Sequence, residues 1–169
     1  NEVARIFHEE YHYKCLPRVM NNATEMEPVQ DVKQAHKFIN EKHKLKESEI
    51  IFLFVGRINT LKNIFFIVDS LKLLKLKKPR LKWKMLFVGS GQDEDKLKKK
   101  ISELDMEKEI IMCGKITNRK ELAYYYSRSD LMLFPSIYDS SSIVQIEAAS
   151  QKTPTVFLEN TATAATVTN

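Results

Sequence analysis

Residues 131–158 read LMLFPSIYDSSSIVQIEAASQKTPTVFL, with two short apolar runs on either side of a longer segment. The runs, 131–134 and 155–158, are bounded by proline or polar residues, as buried strands are. Pro135 ends the first run, Asp139 to Ser142 includes residue types that cap helices, and 143–150 carries helical apolar content. A strand, a helix and a second strand in this order predict a parallel pair joined by a helical crossover.

The same alternation runs through most of the chain. Strands are expected at Ile50–Val55, Lys84–Val88, Glu109–Met112, Leu131–Phe134 and Thr155–Leu158. Helices are expected at Val29–Lys44, Lys62–Lys77, Asp93–Leu104, Arg119–Ser127 and Ser142–Ser150. The predicted fold class is therefore α/β, a Rossmann-like parallel sheet with helices on both faces. Ligands of such sheets bind outside the carboxyl ends of the strands, so we expect a site at that edge.

Length, charge and cysteine usage narrow the class of protein. The chain has 169 residues and a formal net charge of +5, which suits one moderately basic domain. We expect a linker with a helical segment over residues 1–28 and a domain over 29–169, with both ends of the chain looking cut. Cys15 and Cys113 offer neither a disulfide framework nor metal-ligand spacing. Because no apolar run reaches the ~18 residues that cross a bilayer, a cytoplasmic location is expected.

Asp139 and Glu147 are the two carboxylates of the quoted stretch. Glu147 follows Ile143 and Val144 by about one helical turn and shares their face, where a carboxylate costs several kcal/mol unless polar groups meet it. With a helix beginning near residue 141, Glu147 lies roughly 9 Å along the axis at about 1.5 Å per residue. The two acids predict separate contacts along an elongated, hydroxyl-rich ligand whose anionic middle rests on the helix N-terminus. The alternative for Asp139 is capping of that helix.

Gly56, Arg57 and Lys62 follow the first predicted strand. An arginine fork and a lysine point charge both suit phosphate oxygens, and glycine permits close backbone approach. The alternative is that both cations are solvated, as most of the 27 lysine and arginine residues are expected to be. The later Gly89-Ser90-Gly91 lacks the third glycine of a dinucleotide fingerprint, so it predicts a tight strand-to-helix turn.

Six short motifs follow one another between Ile50 and Leu158. In chain order they are Val55-Gly56-Arg57 with Lys62-Asn63, Val88-Gly89-Ser90-Gly91, Cys113-Gly114-Lys115-Ile116, Ser129-Asp130-Leu131, Phe134-Pro135-Ser136 and Glu147-Ala148-Ala149. Together they resemble the retaining GT-B glycosyltransferases of group 1 (family 4, glycogen-synthase-like), specifically their C-terminal donor-binding half. The spacing of Asp139 and Glu147 also resembles that family's pair of glutamates, which seven residues separate.

The resemblance implies a hexosyltransferase that moves sugar from a UDP- or GDP-linked donor to a glycan or lipid-linked acceptor with retention of configuration, as in polysaccharide biosynthesis. It implies that Arg57 and Lys62 bind the leaving diphosphate and stabilise the negative charge that develops on it. It implies that Asp139 accepts hydrogen bonds from the transferred sugar and that Glu147 accepts them from the ribose hydroxyls. The remaining donor-binding residues it implies are Gly56, Ile116, Ser142 and Ile143.

The resemblance also carries expectations about partners. No metal or other cofactor is expected, because the two cations would take its place. The acceptor site would belong to an N-terminal domain that this chain lacks, so the chain alone is expected to bind donor weakly and to transfer nothing. No nucleic-acid partner is expected, since aromatic residues interleaved with basic ones on an exposed strand are not found. The lysine-rich segments predict solvated faces or, alternatively, peripheral contact with the inner face of a membrane.

Three positions depart from the family pattern. Asp139 replaces a glutamate, and Ser142 and Lys152 replace glycines. The shorter acid changes how the transferred sugar is contacted, and the added side chains change how closely backbone amides approach the diphosphate. These departures favour a second hypothesis, a non-catalytic nucleotide-binding or protein-interaction module on the same fold.

Overall fold

The computed structural model describes residues 8–12, 22–139 and 142–165. Most of the expected linker over residues 1–28, Cys15, and the last four residues lie outside the described residues. The strands are β1 (Ile50–Val55), β2 (Trp83–Val88), β3 (Ile110–Gly114), β4 (Leu131–Phe134) and β5 (Thr155–Phe157). The helices are α1 (Val32–His43), α2 (Ile64–Lys77), α3 (Glu94–Glu103), α4 (Arg119–Arg128), α5 (Ile143–Ser150) and α6 (Ala162–Ala165).

All five strands are parallel and lie in the order β3-β2-β1-β4-β5. This is the Rossmann arrangement, so the predicted fold class is confirmed. Helix α2 packs against α3, whereas α4 packs against both α1 and α5. The two groups are the layers that right-handed crossovers place on opposite faces of a sheet whose strand order reverses at β1.

The core lies between the sheet and these helices. Side chains of β1 and β2 are almost all buried, as strands covered on both faces require. Phe54 of β1 packs against Phe87 of β2 and Phe134 of β4, with ring centroids 5.6 and 6.1 Å apart. In the tyrosine run of α4, residues 124–126, Tyr125 and Tyr126 are fully buried, so this run packs α4 into the core.

Several element boundaries differ from the expectations, each for a local reason. The expected helix from Lys62 is a short 3-10 turn, Thr60–Lys62, followed by α2, because Asn63 adopts the left-handed conformation (φ 56°) between them. Helix α1 begins at Val32 rather than Val29, since the Asp31 side chain accepts a hydrogen bond from the Gln34 amide and caps it. Strand β3 extends to Gly114, and α6 was not predicted.

Candidate functional site

The strand order reverses between β1 and β4, which is where ligands of open parallel sheets bind. In the register of this pair, Leu53 lies opposite Met132, so the two strands end at the same level, at Val55 and Phe134. The chain leaves β1 toward α2 and leaves β4 toward α5. These two helices lie in opposite layers. The segments that follow β1 and β4 therefore leave the carboxyl edge of the sheet toward opposite layers, and a hydrogen bond between Ile137 and Leu61 joins them there.

Two glycines let the loops after β1 and β2 pack backbone to backbone. A Cβ on Gly89 would lie 1.8 Å from the Gly56 carbonyl oxygen, and one on Gly91 would lie 2.2 Å from that of Ile58. The Ile58 amide also donates to the Ser90 carbonyl at 3.0 Å. The turn predicted at Gly89–Gly91 is thus a loop-to-loop contact. A Cβ on Gly56 would lie 3.3 Å from the Phe54 ring.

A depression of about 420 Å³ opens at this edge. Three expected site residues, Gly56, Arg57 and Ile116, line it together with Val55, Val88, Gly89, Ser90, Lys115 and Leu122. The Arg57 side chain is exposed, and no ion pair joins it to another residue in the described part of the chain. Because its guanidinium is unpaired and lies in a depression lined by Gly56 and Gly89, Arg57 is placed to bind an anion.

Lys62 and Asp139, the other two residues expected at the diphosphate and the sugar, are brought together in an ion pair between Nζ and Oδ2. The Lys62 ammonium also lies 5.3 Å from the centre of the Phe134 ring. The loops that carry this pair are fastened to each other, since the Ile137 amide donates to the Leu61 carbonyl at 3.1 Å. Among the described residues, the Asp139 carboxylate therefore pairs with Lys62 and does not cap α5.

The first residues of α5 have different surroundings. Ser142 precedes the helix, is buried, and makes no side-chain cap hydrogen bond. Ile143 is about half exposed, like Leu61 and Ile137 nearby, and Tyr138 is 81% exposed. Leu61, Ile137, Tyr138 and Ile143, which we call the apolar lip, all lie on the segments that leave β1 and β4. Contiguous exposed apolar residues are a feature of surfaces that bind other molecules.

Glu147 is only 3% exposed, and the chain itself satisfies both of its carboxylate oxygens. The Tyr126 hydroxyl donates to Oε2 at 2.8 Å, and Arg119 pairs with Oε1 at 2.7 Å. Burial raises the pKa of Tyr126, and the Glu147 carboxylate raises it further, so the phenol stays a neutral donor. The need for polar partners was predictable, but these two partners were not.

Asp93 is a further polar residue that the sequence did not single out. It is buried, and its Oδ2 accepts from the amide and the hydroxyl of Thr60, both at 3.0 Å. Hydrogen bonds from Lys96 and from Thr60 lower the pKa of Asp93, so it stays ionised. The carboxylate ties the 3-10 turn that carries Lys62 to the start of α3, which makes it a structural anchor of the edge.

Neither a metal-ligand cluster nor a membrane-spanning helix occurs among the described residues. No group of three or more histidine, cysteine, aspartate or glutamate residues in the described ranges is placed to hold a metal ion. In the same part of the chain, no helix has the length and apolar character needed to cross a bilayer.

Known proteins similar to this chain were found by sequence. The profile of the family described as "Glycosyl transferases group 1" matches residues 36–169. An uncharacterized glycosyltransferase of Methanocaldococcus jannaschii is 29% identical over 113 residues, which are 66% of this chain and 28% of that protein. A D-inositol 3-phosphate glycosyltransferase of Pseudarthrobacter chlorophenolicus is 30% identical over 106 residues, 62% of this chain and 25% of that protein. The matched region spans about a quarter of these relatives.

Solved structures share the fold at lower identity. An Anabaena protein (HepE) in complex with UDP-glucose has a TM-score of 0.76 at 15% identity, covering 91% of this chain and 41% of its own. The pneumococcal O-GlcNAc transferase in complex with UDP and GlcNAc has a TM-score of 0.75 at 17% identity, covering 98% and 29%. At such identities the likeness establishes the GT-B domain fold.

Proposed function

The chain belongs to the group 1 glycosyl transferases, and we propose that it is the donor-binding domain of a retaining enzyme that transfers sugar from a nucleotide sugar to a glycan or lipid-linked acceptor. The observation that carries this proposal is the exposed, unpaired Arg57 at the point where the strand order reverses. A diphosphate placed there would receive the fork of Arg57 and the ammonium of Lys62. Both cations would stabilise the charge that develops as the glycosidic bond breaks.

The donor would extend along the edge on either side of its diphosphate. The base would lie in the depression beside Ile116 and the segment that leads into α4. The ribose would reach Glu147, whose carboxylate has about four acceptor sites, of which Tyr126 and Arg119 take two. The transferred sugar would lie toward Asp139, with Ser142 and Ile143 at the start of α5 beside the diphosphate. UDP in the similar Anabaena and pneumococcal structures supports a UDP-linked donor, and GDP remains the other candidate of the same class.

We further propose that transfer needs a second domain that holds the acceptor. The apolar lip supports this, because exposed side chains such as Tyr138 and Ile143 follow β4 at the carboxyl edge, where a covering domain would close. By itself the chain would bind donor weakly and transfer nothing. We also propose that donor binding needs no metal, so nucleotide affinity would be the same in chelator and in magnesium.

Thermal stabilisation by nucleotides tests the proposal. UDP or GDP at 100 times its Kd would stabilise the folded chain by about 2.7 kcal/mol. Arg57→Ala would cost roughly 1.5–3 kcal/mol of nucleotide binding, the usual worth of a hydrogen bond to a charged group, and Lys62→Ala a similar amount. Arg80→Ala is the matched control, since Arg80 is an exposed arginine that precedes β2 at the opposite edge of the sheet.

Two outcomes would overturn the proposal. One is the absence of stabilisation by either nucleotide. The other is an equal effect of Arg57→Ala and Arg80→Ala on nucleotide affinity, which would return Arg57 to the class of solvated cations. The pairing of Lys62 with Asp139 favours one second candidate, a nucleotide-binding module without transfer activity. That module would bind nucleotide like the enzyme, and it would stay inactive when joined to an acceptor-binding domain.

A further inference from the structure

Helix α2 carries an apolar stripe on its outer face. Its inner face packs into the core through four buried residues: Ile64, Ile67, Val68 and Leu71. Phe66, Leu73 and Leu76 are 50%, 56% and 67% exposed, and positions seven and ten apart lie on one side of a helix. Leu81, just beyond the helix, is also exposed. Four large apolar side chains at one surface are more than scattered exposure explains.

Within the stripe, the exposed Asp69 is an acid that pairs with Lys100 at 2.6 Å, and the segment that follows it is strongly basic. Between Ser70 and Gln92 the chain has no aspartate or glutamate and seven cations, which are Lys72, Lys75, Lys77, Lys78, Arg80, Lys82 and Lys84. Three of the seven make contacts within the chain: Lys72 with the Leu104 carbonyl, Lys75 with Glu109, and Lys84 with the Lys108 carbonyl. The other four, in the exposed segment 77–82, have no ion-pair partner in the described ranges.

We propose that Phe66, Leu73, Leu76 and Leu81, together with Lys77, Lys78, Arg80 and Lys82, form a docking surface for an anionic lipid bilayer. We call these eight residues the α2 patch. Charge complementarity selects this occupant, because four cations without an ion-pair partner in the described ranges favour an extended negative surface, which anionic headgroups present. The apolar side chains add hydrophobic binding energy to the electrostatic attraction, since an interfacial helix buries its apolar face at the level of the headgroups.

The basic end of the α2 patch is separate from the proposed donor site, although Phe66 at the other end of the patch lies in the first turn of α2, close to Lys62 in the chain. Lys77 to Lys82 precede β2 and so lie near the amino edge of the sheet, whereas Arg57 and Lys62 lie at the carboxyl edge. Helix α2 also belongs to the layer opposite α4 and α5. A bilayer bound at the basic end of the α2 patch would therefore leave the depression at the carboxyl edge open to donor.

Vesicle binding by the full chain tests the proposal. We expect the chain to sediment with phosphatidylcholine vesicles that contain about one third phosphatidylserine, and not with phosphatidylcholine alone. High salt would release it, because screening weakens attraction between exposed charges. Changing Lys77, Lys78, Arg80 and Lys82 together to glutamine would lower the partition coefficient by more than 100-fold, at about fivefold per cation.

A matched variant separates the α2 patch from net charge. Changing the exposed Lys33, Lys37, Lys44 and Lys46 to glutamine removes the same charge around α1, where acids are interspersed, and would lower partitioning by less than about fivefold. The double variant Leu73→Ala, Leu76→Ala keeps every charge, and we expect a loss of about tenfold. In Leu76→Trp, fluorescence would shift to the blue with anionic vesicles, against the constant signal of the buried Trp83.

Three results would overturn the proposal. The first is equal loss of binding in the two quadruple variants, which would mean that net charge alone drives it. The second is an unchanged Leu76→Trp spectrum in vesicles that bind the chain. The third is tighter binding to single-stranded RNA than to anionic vesicles, unaffected by Leu73→Ala, Leu76→Ala, which would assign the cations to a nucleic acid. Circular dichroism of each variant checks that the chain is folded.

Discussion

The two carboxylates that flank the start of α5 lie in opposite environments. Asp139 is partly exposed and pairs with the similarly exposed Lys62. Glu147 is buried and is held on one side by the buried Tyr126 and on the other by Arg119, whose side chain is 57% exposed. The contrast shows that two carboxylates eight positions apart can have different structural roles. Glu147 is part of the packing of α5 on α4, whereas Asp139 is a partly buried partner of Lys62.

The sharpest way to break this comparison is to remove each carboxylate and measure stability. Glu147→Ala would lower the free energy of unfolding by about 3 kcal/mol, because it leaves the buried Tyr126 hydroxyl without an acceptor and opens a cavity. Asp139→Ala would cost about 1 kcal/mol, the upper end of the range for surface ion pairs, because the side chains of Lys62 and Asp139 are only partly exposed. Urea denaturation measures both, with Glu41→Ala on the exposed face of α1 as a control. Equal losses at the two positions would contradict the difference in structural role.

A double-mutant cycle sharpens the account of Glu147. Tyr126→Phe would cost about 1–2 kcal/mol of stability, since it removes the hydroxyl that donates to Oε2. Combined with Glu147→Gln, its effect would be non-additive by more than about 0.5 kcal/mol, as expected for residues in contact. Tyr125→Phe is the matched control, because the Tyr125 hydroxyl bonds His43 at 2.7 Å instead. If Tyr125→Phe couples to Glu147→Gln as strongly as Tyr126→Phe does, the cycle would not report this hydrogen bond.

The smallest expected effect on folding separates ion pairing from capping at Asp139. Asp139→Asn would also lower the free energy of unfolding by about 1 kcal/mol, because it too removes the charge that pairs with Lys62. Lys62→Met would change it by a similar amount. Capping by Asp139 would instead make the alanine variant about 1 kcal/mol less stable than the asparagine variant. Urea denaturation of the three variants decides between the two interpretations.

The edge of the sheet could be predicted because its marks are local in sequence. A buried apolar run followed by glycine or proline occurs at Gly56, Gly89 and Pro135, and parallel topology brings those positions to one edge. The burial of Glu147 also followed from its position relative to Ile143 and Val144.

The partners of these residues could not be predicted in the same way. Tyr126 is 21 residues from Glu147, and nothing in the tyrosine run shows which of its hydroxyls faces α5. Lys62 was expected to open a helix, but the left-handed Asn63 separates it from α2 and turns it toward Asp139. Contacts of this kind depend on how helices seat on the sheet, which periodicity does not fix.

The most direct test of the account is a pair of calorimetric titrations on Asp139→Asn and Glu147→Gln. The ligands are a sugar-free nucleoside diphosphate and the corresponding nucleotide sugar, UDP with UDP-glucose or GDP with GDP-mannose. The account predicts that Glu147→Gln loses about 1–2 kcal/mol of affinity for both ligands, because ribose is common to them. Asp139→Asn would lose affinity only for the nucleotide sugar. Equal losses from the two variants with the sugar-free diphosphate would contradict the account, since the two carboxylates would then not meet different ends of the donor.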